Sequence, residues 1–295
     1  MNDSDNLSLE KSQSFAQANF QNIQLVYNFA EKHKNSITSV FPKPANRHRD
    51  VCVKGLWSRV FFWLNTLNRL DQTRDFQAFG SANRALLEIA VDLSLLHQDK
   101  TNSSGWKMWW WSESEKLQGA EQIVRFFTEQ SLDIPDVYSE QQEFIKRKKT
   151  HVVEMRSILW NGKHPKRWTG NGNLFDDLVI ADTFLGNTAS EILGKSLTEY
   201  YRTEYKKMNW YIHSGVASFW DMPKEAFPLF SGFFLKGCAD LAILSTQIAM
   251  KDFGLSEHLP NYRQELEDLG FERMESYTEN LEIKIPDNQI NYFDE

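Results

Sequence analysis

The chain has 295 residues, a formal net charge of −7 and 14% aromatic residues, among them 10 Trp and 21 Phe. That length supports one large domain or two modest ones, with a bulky core that needs neither disulfide nor metal staples. Cys52 and Cys238 lie far apart and without CxxC spacing, which excludes a zinc ribbon and a disulfide framework and fits a reducing cytoplasm.

The start, Met1 to Gln13, is polar and acidic and lacks the basic-then-apolar layout of a secretory signal. An amphipathic helix is expected over about residues 8 to 34, before a breaker at Phe41-Pro-Lys-Pro44. From Asp50 to Leu70, the apolar residues Val53, Leu56, Trp57, Val60, Phe61, Trp63, Leu64 and Leu67 cover more than one helical face, which predicts a central position. A further helix is expected from about Arg74 to His97, and another, opening on Trp106, Trp109 and Trp110, reaches about Gln130 after the break at Asn102 to Gly105.

Pro135-Asp136 ends the next turn, and a charged helix follows from about Tyr138 to Trp160. The Gly-rich stretch Asn161 to Asn173 reads as an irregular functional loop. Helices over about 188 to 214 and 224 to 253 complete the body. Phe227 to Met250 reaches membrane-spanning length but carries Lys236, Asp240 and Gln247, so a core helix that pairs Lys236 with Asp240 is expected and no membrane partner. The acidic tail after Leu255 predicts a short helix near Asn261 to Leu269 and an extended piece at Leu281 to Ile285. The fold class is therefore all-α, a helical bundle with N- and C-terminal decorations: an extension over 1–45, a core over 46–254 and a tail over 255–295.

Charge is uneven along the chain. Between Lys146 and Trp168 stand eight Lys or Arg residues against the single acid Glu154. Clustered cations attract phosphates, so Lys146, Arg147, Lys148, Lys149, Lys166 and Arg167 are candidate nucleic-acid contacts, with Trp168 as a base-stacking group. The alternative is a solvated helix face at Lys146 to Lys149 and a basic loop that pairs with the protein's own acidic surface.

Two polar columns carry the chemistry-bearing side chains. Arg84, Glu88 and Asp92 recur every four residues among Leu86, Leu87, Ile89, Val91 and Leu93. Tyr201, Tyr205, Asn209 and His213 recur likewise, before the helix-stopping pair Ser214-Gly215. Residues four apart share a helix face, so the columns can meet in the interior. A histidine at a helix C-terminus is suited to proton transfer near neutral pH. The structural alternative is an Arg84–Glu88 ion pair, Asp92 bonded to a neighbouring helix, and Asn209 and His213 fixing helix register. His97, His151 and His164 lack metal-ligand spacing; no P-loop, GxGxxG or Ser/His/Asp order is present, and no cofactor is expected.

These residues carry a resemblance. R-x3-E (Arg84, Glu88), a Trp-x-Gly loop (Trp160-Asn-Gly162 or Trp168-Thr-Gly170) and Y-x7-H-S (Tyr205, His213, Ser214) resemble a bacterial family of uncharacterised helical proteins, over about residues 50 to 250. That arrangement is similar to the HEPN superfamily of four-helix-bundle proteins, many of them metal-independent ribonucleases of toxin–antitoxin and phage-defence systems. The resemblance implies an RNA-cleaving, toxin-type effector of bacterial defence, a homodimer, and a site of His213, Arg84, Glu88, Asn209 and Tyr205. Where the superfamily places Arg upstream of His, this chain has Lys206 and Lys207, with Arg202 too far away; lysine supplies positive charge without the bidentate fork. Two other readings stand beside this one. The chain can be a non-catalytic sensor that docks a protein partner through Trp106 to Trp111, or a helical binder of a small molecule or nucleotide.

Overall fold

A computed structural model describes residues 3–99, 103–205, 226–255 and 259–271. The protein is all-α, with no strand among the described residues. Among the described residues the α-helices are, in chain order, α1 (Asp3–Thr38), α2 (Arg47–Leu67), α3 (Phe76–Gln98), α4 (Ser103–Glu129), α5 (Ser139–Trp160), α6 (Leu174–Leu185), α7 (Asn187–Leu193), α8 (Leu197–Tyr200), α9 (Ala226–Asp252) and α10 (Leu259–Asp268). Side chains are described from residue 9 onward in α1 and from residue 264 onward in α10.

The centre of the molecule is the ring formed by α1, α2, α3 and α9, each packed on its neighbours. Phe15, Ile23, Val26, Phe29 and Ile37 form the buried stripe of α1 at helical spacing, and this stripe faces α9 and α2. On α2 and α3, Trp57, Leu64, Phe79, Leu86 and Leu87 are fully enclosed. Each such side chain contributes about 1.5–3 kcal/mol of hydrophobic stabilisation. The expectation of a central helix at 50–70 is met by α2.

Although α9 is long and apolar enough to cross a membrane by length and composition, 78% of its most apolar window is buried inside the fold. Lys236 donates to Asp240 at 2.7 Å, the pair expected from their spacing. Around the ring, α6 lies on α3, α8 lies on α6, and α7 lies on α9. A hairpin of α4 and α5 carries its own small core of Trp110, Leu117, Val152, Met155 and Trp160.

Two segments differ from the sequence expectation. Helix α6 occupies residues left unassigned between the Gly-rich loop and position 188; the Asn173 side chain caps it by accepting from the Asp176 amide at 3.0 Å. The continuous helix expected over 188–214 is broken. Gly194 ends α7 with φ of 73°, a conformation open to glycine at no steric cost, and Ser196 begins α8 by accepting from the Glu199 amide at 3.1 Å. Asp182 of α6 holds the same turn, accepting the amides of Leu197 and Thr198 at 2.8 Å each. The extended piece expected at 281–285 lies outside the described residues.

One close approach fixes how α3, α8 and α9 meet. Asn83 is fully buried, donates to the Phe234 carbonyl and accepts from the Tyr200 hydroxyl, both at 2.9 Å. Gly237 lies against this pair, and a Cβ there would overlap the Tyr200 oxygen and the Asn83 amide. Gly237→Ala should therefore lower the unfolding free energy by about 1–3 kcal/mol through overpacking. Gly55→Ala, at an open position of α2, should leave it unchanged or raise it by about 0.5–1 kcal/mol, as read by chemical denaturation.

Candidate functional site

The polar column of α3 is the origin of the site. Arg84, Glu88 and Asp92 are half-buried while Leu86, Leu87, Ile89, Val91 and Leu93 on either side are buried. The break at Gly194 and the turn at Ser196 start α8 afresh, and its end winds into a wider π-type turn, Tyr201–Tyr205. That turn delivers Tyr205 between the first two members of the column. Arg84 Nη2 donates to the Tyr205 oxygen at 3.1 Å, and the Tyr205 O–H donates to Glu88 Oε1 at 2.9 Å. The Arg84 guanidinium also lies 5.0 Å from the Tyr205 ring centre, and Tyr201 stacks on Tyr205 at 4.8 Å. Burial, and then the Glu88 charge, push the Tyr205 phenol above its ordinary pKa, so it stays a proton donor at neutral pH.

Asp92 carries the second half of the column. It accepts from Trp168 Nε1 at 2.8 Å and from Arg167 Nη2 at 2.6 Å. Arg167 Nε reaches the wholly buried Asp177 of α6 at 2.7 Å, and Asn171 Nδ2 donates to the other oxygen of Asp177 at 2.7 Å. The Gly-rich loop is thereby fastened to α3 and α6 by charge-assisted hydrogen bonds. Trp111 Nε1 adds a tie to the Pro165 carbonyl at 3.1 Å, and His164 meets Glu115 at 2.7 Å.

Burial dominates the electrostatics of Asp92. It pushes the carboxyl up to about 6; nearby Asp177 and Glu88 push the same way, and Arg167 and Trp168 offset only part of the rise. Burial alone would lower the Arg167 guanidinium, but Asp92, Asp177 and Glu88 together hold it above its ordinary value, so it stays charged. The Cys52 thiol, which donates to the Gly105 carbonyl at 3.5 Å, is pushed up to about 12 by burial and by Asp92. It stays protonated and is a poor nucleophile.

The structure thus brings together Arg84, Glu88 and Tyr205, three residues the sequence pointed to. Asn209, His213, Lys206 and Lys207 lie outside the described residues. Trp168, read from sequence as a base-stacking group, is only 3% exposed and its indole N–H is bound to Asp92, so its face is not presented to a ligand. Arg167, read as a phosphate contact, is committed to Asp92 and Asp177. Lys166 beside them is exposed. On α5, Lys146 bonds Glu143 at 2.8 Å and Arg147 bonds the Glu143 carbonyl at 3.3 Å. Lys149 meets Glu121 of α4 at 2.9 Å, and Lys148 lies 3.8 Å from Glu113 of the same helix. The lysine ends of these pairs are exposed, so the contacts are exchangeable with solvent and ions, although Glu113 itself is buried.

Sequence reasoning missed Asp177 and Asn171. The cap residue Asn173 and the acids Asp176 and Asp177 behind it were the available signal of a helix start. Among the described residues, no group of three His, Cys, Asp or Glu side chains is arranged to hold a metal ion. No family model, no curated protein and no solved structure matches the chain.

The raised Asp92 carboxyl has a definite pH signature. Between about pH 4, where an unfolded aspartate releases its proton, and about pH 6, the folded protein retains it. Asp92 therefore favours folding most at the acidic end, and its contribution declines as pH rises through that window and is flat above it. The Trp168 indole N–H resonance should titrate with a midpoint near pH 6 in an NMR series, and Asp92→Asn should abolish that titration; a midpoint near 4 contradicts the assignment.

Proposed function

We propose that the chain is an HEPN-like, metal-independent ribonuclease, a toxin-type effector of bacterial defence that works in the cytoplasm as a homodimer. The observation that carries this reading is the Tyr205 hydroxyl bridging Arg84 and Glu88. It holds the first residue of Y-x7-H-S against the R-x3-E helix, two motifs that resemble that superfamily. In this reading His213 handles the proton of an RNA 2′-hydroxyl or leaving oxygen, and Asn209 aids alignment. Arg84, with Lys206 or Lys207, stabilises charge as it develops on the phosphate. Tyr205 is a positioning residue that orients Arg84, with Glu88 as its acceptor.

A second reading rests on a separate observation. Arg167 and Trp168 are bound to Asp92 and Asp177, and Lys146, Lys148 and Lys149 meet the protein's own acids. Self-pairing of the most basic segment favours a non-catalytic sensor or partner-binding module in which the polar column is structural.

Cleavage of a labelled RNA in EDTA by the full chain separates the two. His213→Ala should lower the rate by about 10²–10⁴-fold with an unchanged melting temperature. Tyr205→Phe should lower it less, through Arg84. Unchanged cleavage in His213→Ala removes that residue from the mechanism, and no cleavage by the unmodified protein removes the ribonuclease reading.

A further inference from the structure

The N-terminal turns of α4 and α2 carry an aromatic cluster that none of the interactions above uses. Trp106 and Trp109, one turn apart on α4, are 41% and 37% exposed, whereas Trp110 faces inward at 7%. His48 of α2 stacks on Trp106 with ring centres 5.3 Å apart and planes within 7°, and meets Trp109 edge-on at 5.9 Å. The three rings form a partly open platform.

The segments that carry the platform are mainly cationic, and the acids at their edges, Asp50 and Asp99, accept the backbone amides of Lys43 at 2.9 Å and Ser104 at 2.7 Å. Residues 41–49 and 103–111 contain Lys43, Arg47, Arg49 and Lys107 and no Asp or Glu, in a chain whose net charge is −7. Arg49 is buried and bonded to Asp252 at 2.5 Å, but Arg47 is exposed and Lys107 half-exposed, and neither forms an ion pair among the described residues. Cations left free beside stacked, exposed rings suit a ligand that offers flat apolar faces and negative charge at regular intervals. A strand of unpaired nucleotides has that chemistry. An apolar protein helix would instead call for aliphatic surface without a cationic rim.

We infer that Trp106, Trp109 and His48 form a stacking platform for single-stranded RNA, with Arg47 and Lys107 on its phosphates. The inference rests on the RNA reading above and supplies that reading with a binding surface in place of the self-paired 146–168 segment. Along the same helix, Trp111 is bonded to the loop that holds Asp92, which ties the helix of the platform to the polar column of α3.

The test is the affinity of a short, fluorescently labelled oligouridylate for the full chain carrying His213→Ala, measured by anisotropy across a salt series. Adding Trp106→Ala and Trp109→Ala should weaken binding by about tenfold or more. Trp106→Phe, which keeps a stacking face, should retain most of the affinity. Reversing Arg47 and Lys107 to Glu, both away from the core, should weaken binding and flatten its salt dependence. The platform is overturned if the oligonucleotide does not bind, or binds equally well to the Trp-to-Ala and charge-reversed variants. It is also overturned if those variants change only self-association in sedimentation, which makes the surface a protein interface. Oligonucleotide binding that the Trp-to-Ala and charge-reversed variants lose, in a chain that proves unable to cleave RNA, supports the platform while the ribonuclease reading falls.

Discussion

The cost of keeping charge inside α3 organises this protein. Arg84, Glu88 and Asp92 sit on one of the four core helices, and an ionised carboxylate there loses water that must be replaced by other donors. Each neighbouring segment supplies some of them: the turn after α8 sends in Tyr205, and the Gly-rich loop sends in Arg167 and Trp168. The loop in turn depends on α6, because Arg167 is shared with the buried Asp177. Removing one partner leaves a buried charge exposed to its full desolvation cost, so these segments stand or fall together.

The two halves of the column are matched to different tasks. Around Asp92 the donors are committed, and the arrangement is a clasp that holds loop, α3 and α6. Around Arg84 and Glu88, Tyr205 at the end of a π-type turn joins the two charges through its hydroxyl and lays its ring against the guanidinium. A turn of that kind is a local departure from regular helix and recurs at functional sites. That geometry supports the proposal of chemistry at the Arg84–Tyr205 end, with the Asp92 end as its support.

The sequence was most informative where hydrophobic periodicity and charge spacing agree. The helix expected over 74–97 is α3 at Phe76–Gln98, and the Lys236–Asp240 pair follows directly from i,i+4 geometry. It was least informative where side chains answer to distant partners. Helix α6 buries Asp177 beside Leu178 and Ala181 and leaves Val179, Ile180 and Phe184 exposed, so apolar residues lie on both faces and periodicity did not reveal it. The run at 188–214 looked continuous because apolar spacing carries across Gly194, although Ser196 and Glu199 already form a capping-box pattern. Arg167 and Trp168 resembled a phosphate-and-base pair because composition does not reveal which acids fold against them. Of the candidate site, the column and Tyr205 were legible; the Asp177 and Asn171 half was not.

The account stands on the coupling of the two motifs through one hydroxyl. A double-mutant cycle with Tyr205→Phe and Glu88→Gln, followed by chemical denaturation of the full chain, measures that coupling directly. A stabilising interaction on the order of 1 kcal/mol is predicted for a hydrogen bond from phenol to carboxylate. Strictly additive effects would contradict it, since Tyr205 would then contribute nothing through its bond to Glu88.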